Sequence, residues 1–463
     1  MAIYHLTGTL RGTSATEAWI VDGKVTYRAP DVLGRGDVVV AISGFIYPGL
    51  VDAHTHPGLS HGPDPVTAAE VVRRLEACRA QGVTHIREMG AQLDVAPLTR
   101  PDSPTYVPAL PKVIRAGQHI ARPLRYLRYL PVEIEPRDLP AEALRQLGRS
   151  DGWVKIVGDW IDRSEGISAD LRPLWPREIL VDAVAAVHEA GGRVAVHTFA
   201  TNTVDDLLEA GVDSIEHGSG MTRDQLIEAR NHGILIDPTA RQMATFPEIA
   251  SHATKYPVYR EHMLAMDAQR AEHIQLMVEV GSHFIMGSDT AEDVAELGMV
   301  TELQCAVGDG MPASVAMAAA SYEGRRRLGL PSWEEGAPAE SRYRWAARAR
   351  DSLLQIHIDE GDADKAWEVF RGGPVSVTLW SRVAELRGCS HPDEAIAVYR
   401  RLLPHALEAG RSRSSYAEAA AVVQAIRDLR AAQGQLPMFA DELAELRVEW
   451  KRKRNFIKLL EAL

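Results

Sequence analysis

Cysteine is scarce in this chain. Cys78, Cys305 and Cys389 are the only three in 463 residues, too few and too far apart for a disulfide framework or a Cys-rich zinc site. Long apolar runs are missing too, since no stretch approaches the ~18 residues that a membrane helix needs. The opening Met1-Ala2-Ile3-Tyr4-His5 has no basic segment followed by an apolar one. A cytoplasmic location is therefore expected, with no membrane contact. Positive charge is in deficit: 51 Lys and Arg face 63 Asp and Glu, a formal charge of -12. Such a chain has no overall field to hold a polyanion, so nucleic acid is not expected as a partner. What remains, 46% hydrophobic and 25% charged residues, is the composition of a globular chain with room for a large core and a second unit. Residues 340–463 carry 20 Lys and Arg against 18 Asp and Glu, so the acidic excess lies ahead of them. Two units of different character are implied.

Three segments are read along the chain. Residues 1–50 show short extended runs at Gly8 to Leu10, Ala18 to Val21 and Val38 to Ile42, cut by Asp22-Gly23 and Ser43-Gly44, as in a small β unit. In residues 51–339 β-rich runs alternate with amphipathic helical patterns such as Pro176 to Ala190 and Val204 to Ala210. The runs are Gly49 to His54, Thr84 to Glu88, Val113 to Ala116, Val154 to Val157, Arg193 to His197, Ser214 to Glu216, Ile234 to Asp237 and His283 to Met286. Eight of them predict an α/β fold, a TIM-like (β/α)8 barrel rather than an open doubly wound sheet. Residues 340–463 read as all-α: Asp364 to Phe370 and Pro392 to Leu402 carry a tetratricopeptide-like packing pattern, with a plain bundle as the alternative. The basic run Lys451-Arg452-Lys453-Arg454 is expected on a solvated helix face.

The chemistry concentrates at the ends of the runs. His54 and His56 stand two apart on the first run, so both imidazoles share one face and point into the barrel mouth. His197, His217 and Asp289 close three further runs. Four imidazoles and a carboxylate suit zinc, with manganese, iron, nickel or cobalt as alternatives. Each alone could be a hydrogen-bonded core residue, and Asp289 a helix cap; five at four strand ends favour a metal site. Lys155 lies inside the apolar run Val154-Lys155-Ile156-Val157. A buried ammonium is costly, so this amine is either neutral or paired, for instance with Asp159. A neutral amine can react with carbon dioxide to give a carbamate able to bridge two metals.

These residues, with Gly49-Leu50-Val51-Asp52-Ala53-His54-Thr55-His56 and Glu335-Gly336-Ala337-Pro338-Ala339, make residues 1–339 resemble the amidohydrolase superfamily of metal-dependent hydrolases, in the branch of imidazolonepropionase and prolidase-like carboxypeptidases. The resemblance implies two divalent ions, zinc first among the candidates. His54, His56 and Asp289 would bind the more buried one, His197 and His217 the more exposed one, and carbamylated Lys155 both. It further implies that Asp289 takes a proton from a bridging hydroxide and passes it to a leaving nitrogen. The substrate expected is a small-molecule amide: a dipeptide, an N-acyl amino acid or a cyclic amide. Arg122, Arg125 and Arg128, in a loop with Tyr126 and Tyr129, and Arg241 beside Thr239 are candidates to bind a substrate carboxylate. His61 and His85 are read as structural.

The family pattern continues past Ala339 with strands that complete the N-terminal β-sandwich. Here Glu340-Ser341-Arg342-Tyr343 and the helical region follow, so the β-sandwich reads as incomplete, with unpaired edges. The tail offers a surface for a protein partner or a second copy of the chain. The alternative to a hydrolase is a non-catalytic barrel serving that tail as an interaction scaffold.

Overall fold

In the computed structural model the described residues are 2–30, 38–62, 64–107, 110–334, 354–355, 357–358, 361–371, 375, 377–408, 413–451 and 453–460. They fall into two units, Met1–Glu340 and Ser341–Leu463. The first begins with six strands: β1 (Ala2–Leu6), β2 (Thr9–Leu10), β3 (Ala18–Val21), β4 (Lys24–Thr26), β5 (Val38–Ile42) and β6 (Phe45–Ile46). One sheet has the order β4-β3-β1-β5, and β2 pairs with β6. Asp22-Gly23, with φ of 53° and 70°, makes the two-residue turn of the β3–β4 hairpin. Strands β1, β4 and β6 lie outside the extended runs read from the sequence.

No strand follows among the described residues after Gly329, but Trp333 returns to this β unit as a loop residue. Its Nε1 donates to the Arg11 carbonyl at 2.6 Å, its own carbonyl accepts from the Tyr27 hydroxyl, and its ring packs with Leu6, Leu10 and Ala18. Residues 335–353, where return strands were expected to be missing, lie outside the described residues.

Twelve further strands follow: β7 (Leu50–Thr55), β8 (Val83–Glu88), β9 (Lys112–Arg115), β10 (Ile120–Ala121), β11 (Val132–Glu133), β12 (Trp153–Val157), β13 (Asp159–Ile161), β14 (Leu171–Pro173), β15 (Arg193–Thr198), β16 (Ser214–His217), β17 (Leu235–Asp237) and β18 (His283–Phe284). The parallel orders are β7-β8-β9 and β11-β10-β12-β15-β16-β17-β18, while β13 and β14 form a separate hairpin. The Asp151 N–H links to the Arg115 carbonyl at 2.9 Å between β9 and β12. The ring closes where Ala53 N–H donates to the Met286 carbonyl (2.8 Å), Asp289 N–H to that of His54 (2.7 Å) and His56 N–H to that of Thr290 (2.9 Å). All eight predicted runs fall on this α/β barrel. β18 is shorter than expected because Ile285 bonds to β17 while Met286 bonds to β7, so the chain there bridges two neighbours singly.

The helices between the strands carry their own start and stop signals. Thr67 with Glu70 and Thr222 with Gln225 form reciprocal capping boxes before Ala68–Ala80 and Arg223–His232. Helix Arg177–Glu189, predicted as Pro176 to Ala190, buries Leu180, Ala183, Val184 and Val187 against the strands.

The second unit contains the helices Ala363–Arg371, Trp380–Gly388, Pro392–Glu408, Arg413–Ala432, Leu436–Glu449 and Arg454–Leu460. They share a core that includes Phe370, Val383, Tyr399, Val423 and Phe456. The basic run is corrected: Lys451 and Lys453 lie in the turn between the last two helices rather than on a helix face, with Lys453 N–H bonded to the Trp450 carbonyl. No described helix is long and apolar enough to cross a membrane.

Gly287 sets the closing seam. A Cβ built there would lie 2.3 Å from the His54 Cβ and 2.5 Å from the His54 nitrogen, a backbone atom that cannot swing away. Gly287→Ala is expected to destabilise the first unit by about 3 kcal/mol, at the upper end of overpacking costs. Urea unfolding followed by far-ultraviolet circular dichroism checks this, and an unchanged midpoint would show that the seam is loose.

Candidate metal centre

Four imidazoles line up across the barrel mouth. The His56 and His54 ring centroids are 5.1 Å apart, His54 and His217 5.3 Å, and His217 and His197 4.7 Å. Strand pairing dictates this order: β7 carries His54, and the register of β15 and β16 sets Thr198 opposite His217. Across the closing seam, Asp289 Oδ1 lies 3.3 Å from His54 Nε2 and 3.1 Å from His56 Nε2. Ligand atoms of His54, His56 and Asp289 all fall within 4.8 Å of one another. Lys155, on β12, is 1% exposed and its Nζ has no hydrogen-bond partner. The alternative partner, Asp159, instead accepts from the Thr198 hydroxyl and from the Phe199 and Ala200 amides.

Second contacts turn the rings. His56 Nδ1 sits 3.0 Å from the Gly90 carbonyl, His54 Nδ1 2.8 Å from Glu216 Oε2, and His217 Nδ1 2.7 Å from Thr239 Oγ1. A carbonyl and a carboxylate can only accept, so Nδ1 of His56 and His54 carries the proton and Nε2 keeps its lone pair. Burial holds His54 and His197 well below the ordinary imidazole value and takes His217 down to about 4. The rings are thus neutral, the form that ligates metals. Burial also lowers the Lys155 amine to about 8, against the pull of Glu216 and Asp289. Burial pushes the Asp289 carboxyl up, but His54, His56 and His217 outweigh it, and the group stays ionised.

The donor set fits a divalent metal site: imidazole nitrogens and a carboxylate oxygen converge, while Lys155 Nζ and His197 Nε2 are buried without partners. A buried polar atom without a partner is rare enough to point to a missing group.

The arginine candidates separate. Arg125 is tied through its two terminal nitrogens to Asp162 (2.8 Å) and to the carbonyls of Trp160 and Arg172, while its buried Nε has no partner. Arg241 gives Nε to the Ser288 carbonyl and Nη2 to that of Asp289. Arg128 is exposed, and Arg122 has a buried Nε without a partner. His61 is exposed, 3.5 Å from Glu292, and His85 is buried in β8.

Sequence reasoning passed over several groups and gave others, Tyr126 and Glu216, no role. His119 is buried, stacks on His56 with centroids 5.1 Å apart, and has an unpartnered Nδ1. Gly90 makes room for it, because a Cβ there would lie 2.3 Å from that nitrogen. Tyr126 and Trp160 both pack on His197 with centroids at 5.5 Å. Arg87 donates from Nη2 to Glu216 Oε1 at 2.8 Å and from Nε to the Ala53 carbonyl at 2.7 Å, the Arg87 and Glu216 side chains being wholly buried. The rule that singled out Lys155, a charged residue inside an apolar strand, applies equally to Arg87 and Glu216.

The Amidohydrolase family model matches residues 45–340. The chain belongs to the amidohydrolase family and is a hydrolase acting on carbon–nitrogen bonds. Its similar proteins include one from Mycobacterium bovis and one from Mycobacterium tuberculosis, both described only as uncharacterized. Each is 37% identical over 339 residues, 73% of this chain and 88% of the relative. Among solved structures, a Xaa-Pro dipeptidase with bound methionine shares the fold at TM-score 0.60 and 21% identity, covering 73% of this chain and 92% of that one. Ochratoxinase from A. niger follows at 0.58 and 18%, with 73% and 88% covered, and molinate hydrolase at 0.55 and 16%, with the same coverage.

Removing Arg87 strands the Glu216 charge in the barrel floor. Arg87→Met is expected to cost about 3–5 kcal/mol, whereas Arg87→Met with Glu216→Leu recovers much of that loss. Denaturant unfolding of the two variants decides; equal stability of both would mean that the pair carries no buried charge.

Proposed function

We propose that the chain hydrolyses the amide bond of a small substrate, a dipeptide, N-acyl amino acid or cyclic amide, at a two-metal centre. His54, His56 and Asp289 would hold one ion and His197 and His217 the other, and Lys155, as its carbamate, would add a further oxygen ligand. Zinc is the first candidate. When bound, such ions supply a water acidified into the neutral range and a Lewis acid for the carbonyl oxygen. The observation that carries the reading is the unpartnered Lys155 amine, 1% exposed and under the electrostatic influence of Asp289 and Glu216. An amine that burial makes easier to deprotonate, and that has no hydrogen-bond partner, is suited to carbamate formation.

The chain's own groups do the rest. Ionised Asp289 accepts a proton from the attacking water and delivers it to the leaving nitrogen, base and then acid. Glu216 and the Gly90 carbonyl keep the lone pairs of His54 and His56 aimed at the site. Tyr126, Trp160 and Phe199 around His197 exclude water and so strengthen the electrostatic interactions within. A carboxylate on the substrate would find a spare Nε donor on Arg122, while both terminal nitrogens of Arg125 are already engaged and only its Nε is spare.

Assays of a dipeptide and N-acyl amino acid library on protein grown with zinc and bicarbonate test this. Turnover is expected to vanish on chelation and to fall by roughly 10³-fold or more in a His54→Ala/His56→Ala variant, the scale of a lost Lewis acid. Labelled bicarbonate is expected to give a carbamate carbon signal that Lys155→Met abolishes. Full activity after chelation, or in the double variant, would falsify the reading.

A further inference from the structure

The end of β17 touches two of these ligands at once. Thr239 Oγ1 lies 2.7 Å from His217 Nδ1. Two residues on, Arg241 donates from Nε to the Ser288 carbonyl at 3.2 Å and from Nη2 to the Asp289 carbonyl at 3.0 Å. The turn that carries both is itself anchored: the Ala240 N–H donates to one carboxylate oxygen of Glu302 and the Arg241 N–H to the other, both at 2.8 Å, and Glu302 is wholly buried.

His217, Thr239 and Asp289 all have left-handed backbones, with φ of 71°, 41° and 47°. Non-glycine residues avoid that region, β-branched threonine most of all. Such conformations persist only where the surroundings over-determine them. The hydrogen bonds from Glu302 through this turn to His217 and Asp289 are that over-determination. Asp289 is also gripped from the other side, because Asp52 accepts from Ser288 N–H at 2.9 Å and from its hydroxyl at 2.6 Å. With two of its nitrogens spent on main-chain carbonyls, the Arg241 fork is aimed at protein rather than at a ligand.

We infer that Arg241 and Glu302 are positioning residues, which make the turn after β17 a single bracket holding His217, from the sixth predicted run, and Asp289, from beyond the eighth. Glu302 fixes the turn, Thr239 orients the His217 ring, and Arg241 holds the backbone that carries the Asp289 carboxylate. This gives Arg241 a different role from that of a substrate-binding arginine. The inference rests on the reading of His217 and Asp289 as metal ligands.

Cobalt(II) tests it without a substrate. Metal-free full-length protein in bicarbonate buffer is titrated with cobalt, the d–d absorption is recorded, and affinity is measured by competition with a chromophoric chelator. Arg241→Met is expected to weaken cobalt binding about 10- to 100-fold, the usual range for groups behind a metal ligand, and to change the d–d band while circular dichroism is unchanged. Glu302→Gln and Arg241→Lys are expected to shift both readouts less, in the same direction. Wild-type affinity and an unchanged band in Arg241→Met overturn the inference; should that variant not fold, the same result in the two conservative variants does so. Wild-type protein that takes up no cobalt sinks the metal-centre reading itself and this inference with it.

Discussion

The hydrogen bond from the Asp289 amide to the His54 carbonyl, 2.7 Å long, is the contact on which the site depends. It belongs to the seam where the last run of the barrel meets the first. Residues more than two hundred positions apart thereby present their side chains to one point. Without that closure His54 and His56 would be a pair of histidines on a strand, and Asp289 a carboxylate after a short strand. The absence of a side chain at Gly287 is part of the same contact, since the His54 backbone occupies the space a Cβ would need.

Closure alone does not make ligands. Burial does the second half by removing water, which leaves His54, His197 and His217 neutral and the Lys155 amine weakened as a base. The carboxylate of Glu216 then divides its oxygens between Arg87 and His54. One oxygen balances a buried cation and the other fixes a tautomer. A low-dielectric floor of this kind tolerates charge only in such fully bonded arrangements.

Much of this was legible in the sequence, and for a physical reason. Parallel strands covered by helices are apolar throughout, so the eight runs stood out, and a histidine, lysine or aspartate within or just after such a run had to be exceptional. What stayed hidden depends on geometry that spacing does not encode. His119 follows a turn rather than a run, so nothing marked it as the neighbour of His56. Arg241 looked like a free cation after the seventh run; its partners are main-chain carbonyls of a segment some fifty residues away, which no pattern of side chains reveals. Trp333, a lone aromatic in a polar stretch, gave no sign that it covers the N-terminal strands. The acidic neighbours Glu442, Glu445 and Glu449 pointed to a solvated helix face for the basic run near the C-terminus, yet Lys451 and Lys453 lie between two helices.

The helical unit has a core of its own and every proposed metal-site residue lies in the first unit, so the account stands or falls on what the barrel mouth holds. Elemental analysis of the purified full-length chain, grown with zinc and bicarbonate, measures that directly. The account predicts about two equivalents of divalent metal per chain, the complement of a two-metal hydrolytic site. Protein that is active on an amide and carries no divalent metal would contradict it.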